Sequence, residues 1–147
     1  MSGSGDDRAR VLVVDDERSV LDSIEAVLDE HANVRTTTHP MEALRLLEAG
    51  DRSFHVVCAD YRMPMMNGVT LLQRVAQRPE YISCLLITGA EEYFRSDNKS
   101  GHYVLLKPFS PDRLVALVLQ LARVAQMKRT VGELVGAQSG RHRTAKS

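Results

Sequence analysis

The sequence predicts one α/β domain, a five-stranded parallel sheet with helices packed on both faces. Short, uninterrupted apolar runs such as Val11 to Val14 read as strands buried on both sides. Between such runs, apolar residues recur at helical spacing, and strand alternating with helix along the whole body implies a parallel sheet. A chain of 147 residues with 44% hydrophobic content is one ordinary domain with enough apolar surface for a core.

Taken in order, Val11 to Val14 is the first strand, and Val20, Leu21, Ile24, Val27 and Leu28 form the inner stripe of the first helix. A weaker second strand spans Val34 to Thr37. Pro40 suits the first turn of a helix capped by His39, with Ala43, Leu44 and Leu47 facing inward. Phe54 to Ala59 is the third strand. Gly68 opens a helix whose apolar face is Val69, Leu72, Val75 and Ala76. Ile82 to Ile87 and Val104 to Leu106 supply the fourth and fifth strands. Ser96 to Gly101 reads as loop, so the helix between those strands is expected to be short or irregular. The last helix has the clearest start: Ser110 as cap, Pro111 at the first position, and Asp112 at the positive end of the dipole. Its core stripe is Leu114, Leu117, Val118, Leu121 and Ala125. Val115, Leu119 and Ala122 form a second stripe, read either as deeper burial or as a homodimer contact.

Charge and composition exclude several classes. Residues 127–147 hold five basic side chains against Glu133 alone, so a net charge of zero leaves a mildly acidic body with a basic tail. That body gives no reason to expect direct nucleic-acid binding, and the tail is expected to be a solvated, disordered end. Cys58 and Cys84 sit in apolar runs and form neither a disulfide framework nor a metal motif. No apolar run approaches the roughly 20 residues of a membrane span. Nor does the Gly/Ser/Asp-rich start resemble a signal peptide. A soluble, cytoplasmic protein without a membrane partner is expected. The expected boundaries are a flexible N-terminus at 1–8, the domain at 9–126, and a basic tail or truncated linker at 127–147.

In open parallel sheets, sites form beyond the carboxyl ends of the strands. The first strand ends in Asp15 and Asp16, followed by Glu17. The third ends in Asp60, the fourth in Thr88 and the fifth in Lys107. Carboxylates crowded on one rim repel, and a hard cation such as Mg²⁺ relieves the repulsion through oxygen ligands. One carboxylate is then left to act as a nucleophile, with Lys107 and Thr88 supplying charge and a donor to a phosphoryl group. Gly89, after Thr88, leaves room beside it. Taken singly, each residue has an ordinary explanation: Asp16 or Glu17 as a helix cap, Lys107 as a surface lysine, Thr88 as a strand end. The conjunction of four strand ends is what favours chemistry.

Four segments then become recognisable: "VLVVDDE", "CADYRMPMMNG", "LLITGA" and "LLKPFSPDRL". Over about residues 8 to 126 the chain resembles the receiver domain of bacterial two-component response regulators. That resemblance implies a flavodoxin-like (CheY-like) doubly wound sheet in strand order 2-1-3-4-5. It also implies a phosphorylation switch with Asp60 as acceptor. Mg²⁺ would be held by Asp15, Asp16, Asp60 and the Arg62 backbone carbonyl, with Thr88 and Lys107 contacting the phosphoryl group. The implied donor is a sensor histidine kinase or phosphotransfer protein, and the domain is not a turnover enzyme. Receivers usually carry an aromatic residue three positions before the lysine; here that position is Val104, and Tyr103 precedes it. Unless a bulge intervenes, Tyr103 points to the other face.

Competing classes fare worse. A dinucleotide-binding domain needs glycines after the first strand, and none occurs between Gly5 and Gly50. A phosphatase of the haloacid-dehalogenase type needs its Asp-x-Asp on strand one, where Glu17 holds the last position. A receiver-like interaction module acting without phosphorylation is the remaining alternative.

Overall fold

The computed structural model describes residues 8–49, 53–89 and 102–146. The elements are β1 (Arg10–Val14), α1 (Arg18–Leu28), β2 (Asn33–Thr37), α2 (Pro40–Ala49), β3 (Val56–Asp60), α3 (Gly68–Ala76), β4 (Ser83–Thr88), β5 (Tyr103–Leu106) and α4 (Pro111–Lys146). All strand pairs are parallel, and the sheet order is β2-β1-β3-β4-β5. The expected fold and strand order are both present. The helix expected between β4 and β5 and the expected flexible N-terminus fall mostly outside the described residues.

Strand alternation explains why β1, β3 and β4 read as unbroken apolar runs. Val11, Val13, Cys58, Leu85, Ile87 and Leu105 pack on one face against Leu21, Ile24 and Leu28 of α1 and Leu114, Val118 and Leu121 of α4. Their neighbours Leu12, Val14, Val57, Ala59 and Leu86 pack on the other face against Ala43 and Leu47 of α2 and Val69, Leu72 and Val75 of α3. Each fully buried aliphatic side chain of this kind contributes roughly 1.5–3 kcal/mol. Both faces are therefore covered, as a parallel sheet requires.

The helix starts follow local chemistry. Asn67 caps α3 by accepting the Thr70 amide at 2.9 Å. Ser110 caps α4 by accepting the Arg113 amide at 3.1 Å. His39 stands in the cap position before α2, its carbonyl accepting the Ala43 amide at 3.1 Å, while the Thr37 hydroxyl accepts the His39 amide at 3.2 Å and donates to Glu42 at 2.5 Å.

Two expectations change, on the face of α3 and the end of the last helix, and two readings left open by the sequence are decided. In α3 the expected Val69, Leu72 and Val75 are buried, but the fourth large apolar contact is Leu71 and not Ala76, which is exposed, because the helix meets the sheet slightly rotated from the expected stripe. The second stripe of the last helix belongs to the core: Ala122 is buried, and Val115 and Leu119 pack against the α1 side. The last helix does not stop near residue 126 but runs as one helix to Lys146. No proline follows Pro111, and Leu, Ala, Arg, Gln, Met and Lys dominate residues 119–129, so nothing local terminates it. Finally, β5 pairs with β4 in continuous register from Leu85↔Tyr103 to Thr88↔Leu106, so no bulge intervenes. Val104 packs on the α2–α3 side, while Tyr103 is 45% exposed on the alternate side.

Candidate functional site

The carboxyl ends of β1, β3, β4 and β5 bring the expected residues to one rim. Asp15 and Asp16 follow β1 directly; Asp60 and Thr88 are the last residues of β3 and β4; Lys107 follows β5. Asp60 lies opposite Ile87, one residue before Thr88, and the Lys107 amide donates to the Thr88 carbonyl at 3.1 Å. The Lys107–Pro108 peptide is cis.

Lys107 Nζ lies 3.2 Å from Asp60 Oδ1 and 3.6 Å from Asp15 Oδ2, so one ammonium bridges the two carboxylates. Asp15, Asp16 and Asp60 each offer an oxygen within 4.8 Å of the others. Asp15 is buried, Asp60 is intermediate and Asp16 is exposed, so the cluster opens to solvent on one side. Burial above all pushes the Asp15 carboxyl up from its ordinary value. The Asp60 and Asp16 charges add to this, while the Glu17 amide and Lys107 oppose it. The amide contact is a hydrogen bond of 2.9 Å to Asp15 Oδ1. Three oxygens at this spacing, one of them desolvated and with a single ammonium between them, fit a small divalent cation. Thr88 is buried under the rim, at 1% exposure. Between Asp16 and the loop after Asp60 lies a depression of about 350 Å³, lined by Asp16, Tyr61, Arg62, Met63, Pro64 and Asn67.

The loop after Asp60 is held tightly from below. A Cβ on Gly68 would fall 2.1 Å from the Asp60 carbonyl oxygen and 2.9 Å from Leu86 Cδ1, and the Gly68 amide donates to the Tyr61 carbonyl at 2.9 Å. The glycine is thus required for close approach to the Asp60 peptide itself. Gly89 differs, since a Cβ there would make only ordinary contact with Lys107. Met65 is the one non-glycine residue with positive φ among the described residues, at 75°, and it is 84% exposed.

Sequence reasoning missed the Asn67 cap and the Asp15–Glu17 contact, although an Asn directly before Gly68 was a visible cap signal. It also missed the hydrogen bonds of His55 with Arg10 and of Arg129 with Tyr81 and Phe54, for which no local signal exists.

The response regulator receiver domain model matches residues 11–119, from β1 into α4. The hydrogenase transcriptional regulatory protein HoxA of Cupriavidus necator is 38% identical over 119 residues, which is 78% of this chain and 24% of that protein. The transcriptional regulatory protein FixJ of Bradyrhizobium diazoefficiens is 28% identical over 81% of this chain and 59% of its own. Among solved structures, a CheY-like response regulator receiver domain protein from Methanospirillum hungatei superposes with TM-score 0.71 at 25% identity, covering 82% of this chain and 98% of that one. NtrX from Brucella abortus superposes with TM-score 0.73 at 28% identity, over 86% of this chain and 30% of its own. The chain spans about a quarter of the length of the HoxA relatives it matches. With five strands in receiver order and the matched segment spanning the whole sheet, the chain belongs to the response regulator receiver family of two-component systems.

Proposed function

We propose that this receiver is a phosphorylation switch whose acceptor is Asp60. The observation that carries the reading is the Lys107 ammonium lying within reach of both Asp60 and Asp15 at the open rim. An Asp60 carboxylate oxygen bonds to the phosphorus of an incoming phosphohistidine, from a sensor histidine kinase or phosphotransfer protein, as the P–N bond breaks and the donor's imidazole leaves. Lys107 and Thr88 then meet the equatorial oxygens, one as a point charge and the other as a hydroxyl donor. Asp15, Asp16, Asp60 and the Arg62 carbonyl are the residues that would hold Mg²⁺. Bound there, the ion supplies positive charge to the phosphoryl oxygens and relieves the repulsion among the carboxylates. Hydrolysis resets the switch; the domain does not turn over a separate substrate. The reading places it in the cytoplasm, with protein partners and no direct nucleic-acid or membrane contact.

Incubation with Mg²⁺ and a small phosphodonor should add one phosphate by intact mass. The adduct should be absent in Asp60→Asn and absent when Mg²⁺ is chelated. A parent protein that gains no phosphate would sink the reading and favour a receiver-like interaction module that works without phosphorylation.

Homodimerisation through the last helix is a second, separable proposal. Ala122 is buried within its own chain, so such a contact has to use the outward residues Met127, Val131 and Leu134. Light scattering that reports a monomer with and without phosphodonor excludes it.

A further inference from the structure

The C-terminal helix α4 changes character near residue 126. At about 100° per residue, Leu114, Val118, Leu121 and Ala125 share the face that meets the sheet, and all four are buried. The next residue on that face is Arg129, half-buried, followed by Gly132 and Gly136, where an added Cβ would meet nothing. On the opposite face, Gln120 and Arg123 give way to the exposed Met127, Val131 and Leu134. Past Ala125 the helix therefore has no apolar stripe toward its own domain, and it contains glycines, which are poor helix formers.

Polar contacts tie this stretch to the body. Arg129 Nε donates to the Tyr81 carbonyl at 2.8 Å, and its Nη2 donates to the Phe54 carbonyl. Lys128 Nζ stands 4.9 Å from the centroid of the Tyr81 ring. Tyr81 and Phe54 lie just ahead of β4 and β3, at the edge of the sheet opposite the acidic rim.

We propose that Arg129 is a clasp that makes residues 127–136 a rigid continuation of the receiver, with its heading set by the segments leading into β3 and β4. A planar guanidinium can fork between two carbonyls in a way that a lysine ammonium cannot. The neighbouring ring favours this arrangement. His55 Nδ1 accepts the Arg10 amide at 3.0 Å, so that nitrogen is unprotonated and the ring adds no second cation to that of Arg10, which the Glu80 charge opposes. The outward Met127, Val131 and Leu134 are then presented in a fixed direction, on a helix that would otherwise fray. The two strands held by the clasp are those that end in Asp60 and Thr88. The inference concerns helix order and is independent of whether Asp60 is phosphorylated.

The test uses the full chain with spin labels on cysteines introduced at Asp22 and Glu133, both exposed. Native Cys58 and Cys84 are buried, with thiols pushed up to about 12, and do not compete for label. The parent should show one narrow distance distribution. Arg129→Gln should broaden it, and amide exchange at 127–136 should quicken by about tenfold or more while Val118 to Ala125 stay protected. Arg129→Lys, which keeps the charge and loses the fork, should also broaden it; this variant decides the matter if Arg129→Gln fails to fold. A distribution as narrow in both variants as in the parent, or one already broad in the parent, overturns the clasp.

Discussion

The two ends of this sheet are electrostatic opposites, and each handles its charge differently. At the carboxyl rim, Asp15, Asp16 and Asp60 converge on one point with a single ammonium among them. At the amino edge, Arg10 and Arg129 flank a buried His55 and direct their donors to the main-chain carbonyls of Ser53, Tyr81 and Phe54. Positive groups at the amino edge are met by the chain's own carbonyls and by the charge of Glu80, so that edge holds itself together. At the rim three carboxylates crowd around one ammonium, a cluster that could hold a metal ion. A site that can respond to a ligand is one whose charge the fold itself leaves uncompensated.

The largest break in this contrast comes from beneath the rim. Gly68→Ala puts a methyl group into the Asp60 carbonyl. It should cost about 3 kcal/mol in urea unfolding and, on the proposed function, slow phosphate uptake, since the peptide of the proposed acceptor Asp60 must shift. A midpoint equal to that of the parent would show that the loop is less tightly packed than the distances indicate.

The amino edge can be probed by pH. Burial first, then the Arg10 and Arg129 charges, lower the His55 pKa from 6.5 to about 4. Below pH 6.5 the unfolded chain takes up a proton that the folded chain refuses, so His55 adds stability that is complete above 6.5. That stability is lost progressively as pH falls toward 4. Between pH 7 and pH 5 the loss should be about 2 kcal/mol. His55→Gln should remove that share of the slope, and an unchanged slope would mean the histidine is not held neutral.

The smallest effect sharpens the other side of the comparison. If the rim lacks positive charge, Mg²⁺ at ten times its dissociation constant should stabilise the fold by about 1.4 kcal/mol. The gain should vanish in Asp15→Asn. Thermal unfolding with and without the ion measures both.

Much of the rim was legible in the sequence because strand ends are local features. Each apolar run stops at the residue that serves the site, and parallel pairing then sends every such residue to the same side. The face of α3 and the end of α4 were harder to read. Ala76 and Leu71 are both apolar, and only docking on β3 and β4 decides which is covered. The charge of residues 127–147 reads as a solvated tail, yet charged residues in a helix with no proline after Pro111 do not stop it.

What the sequence by itself determined is therefore the αβ alternation and the set of carboxylates, threonine and lysine at the strand ends, since both follow from periodicities of a few residues. Only the tertiary structure decided the amino edge. Arg129 meets Tyr81 and Phe54 across 48 and 75 residues, and no spacing in a linear chain announces such a contact. The same holds for the bridging position of Lys107, 47 residues from Asp60. Contacts of that separation exist only once the sheet has brought its strands side by side.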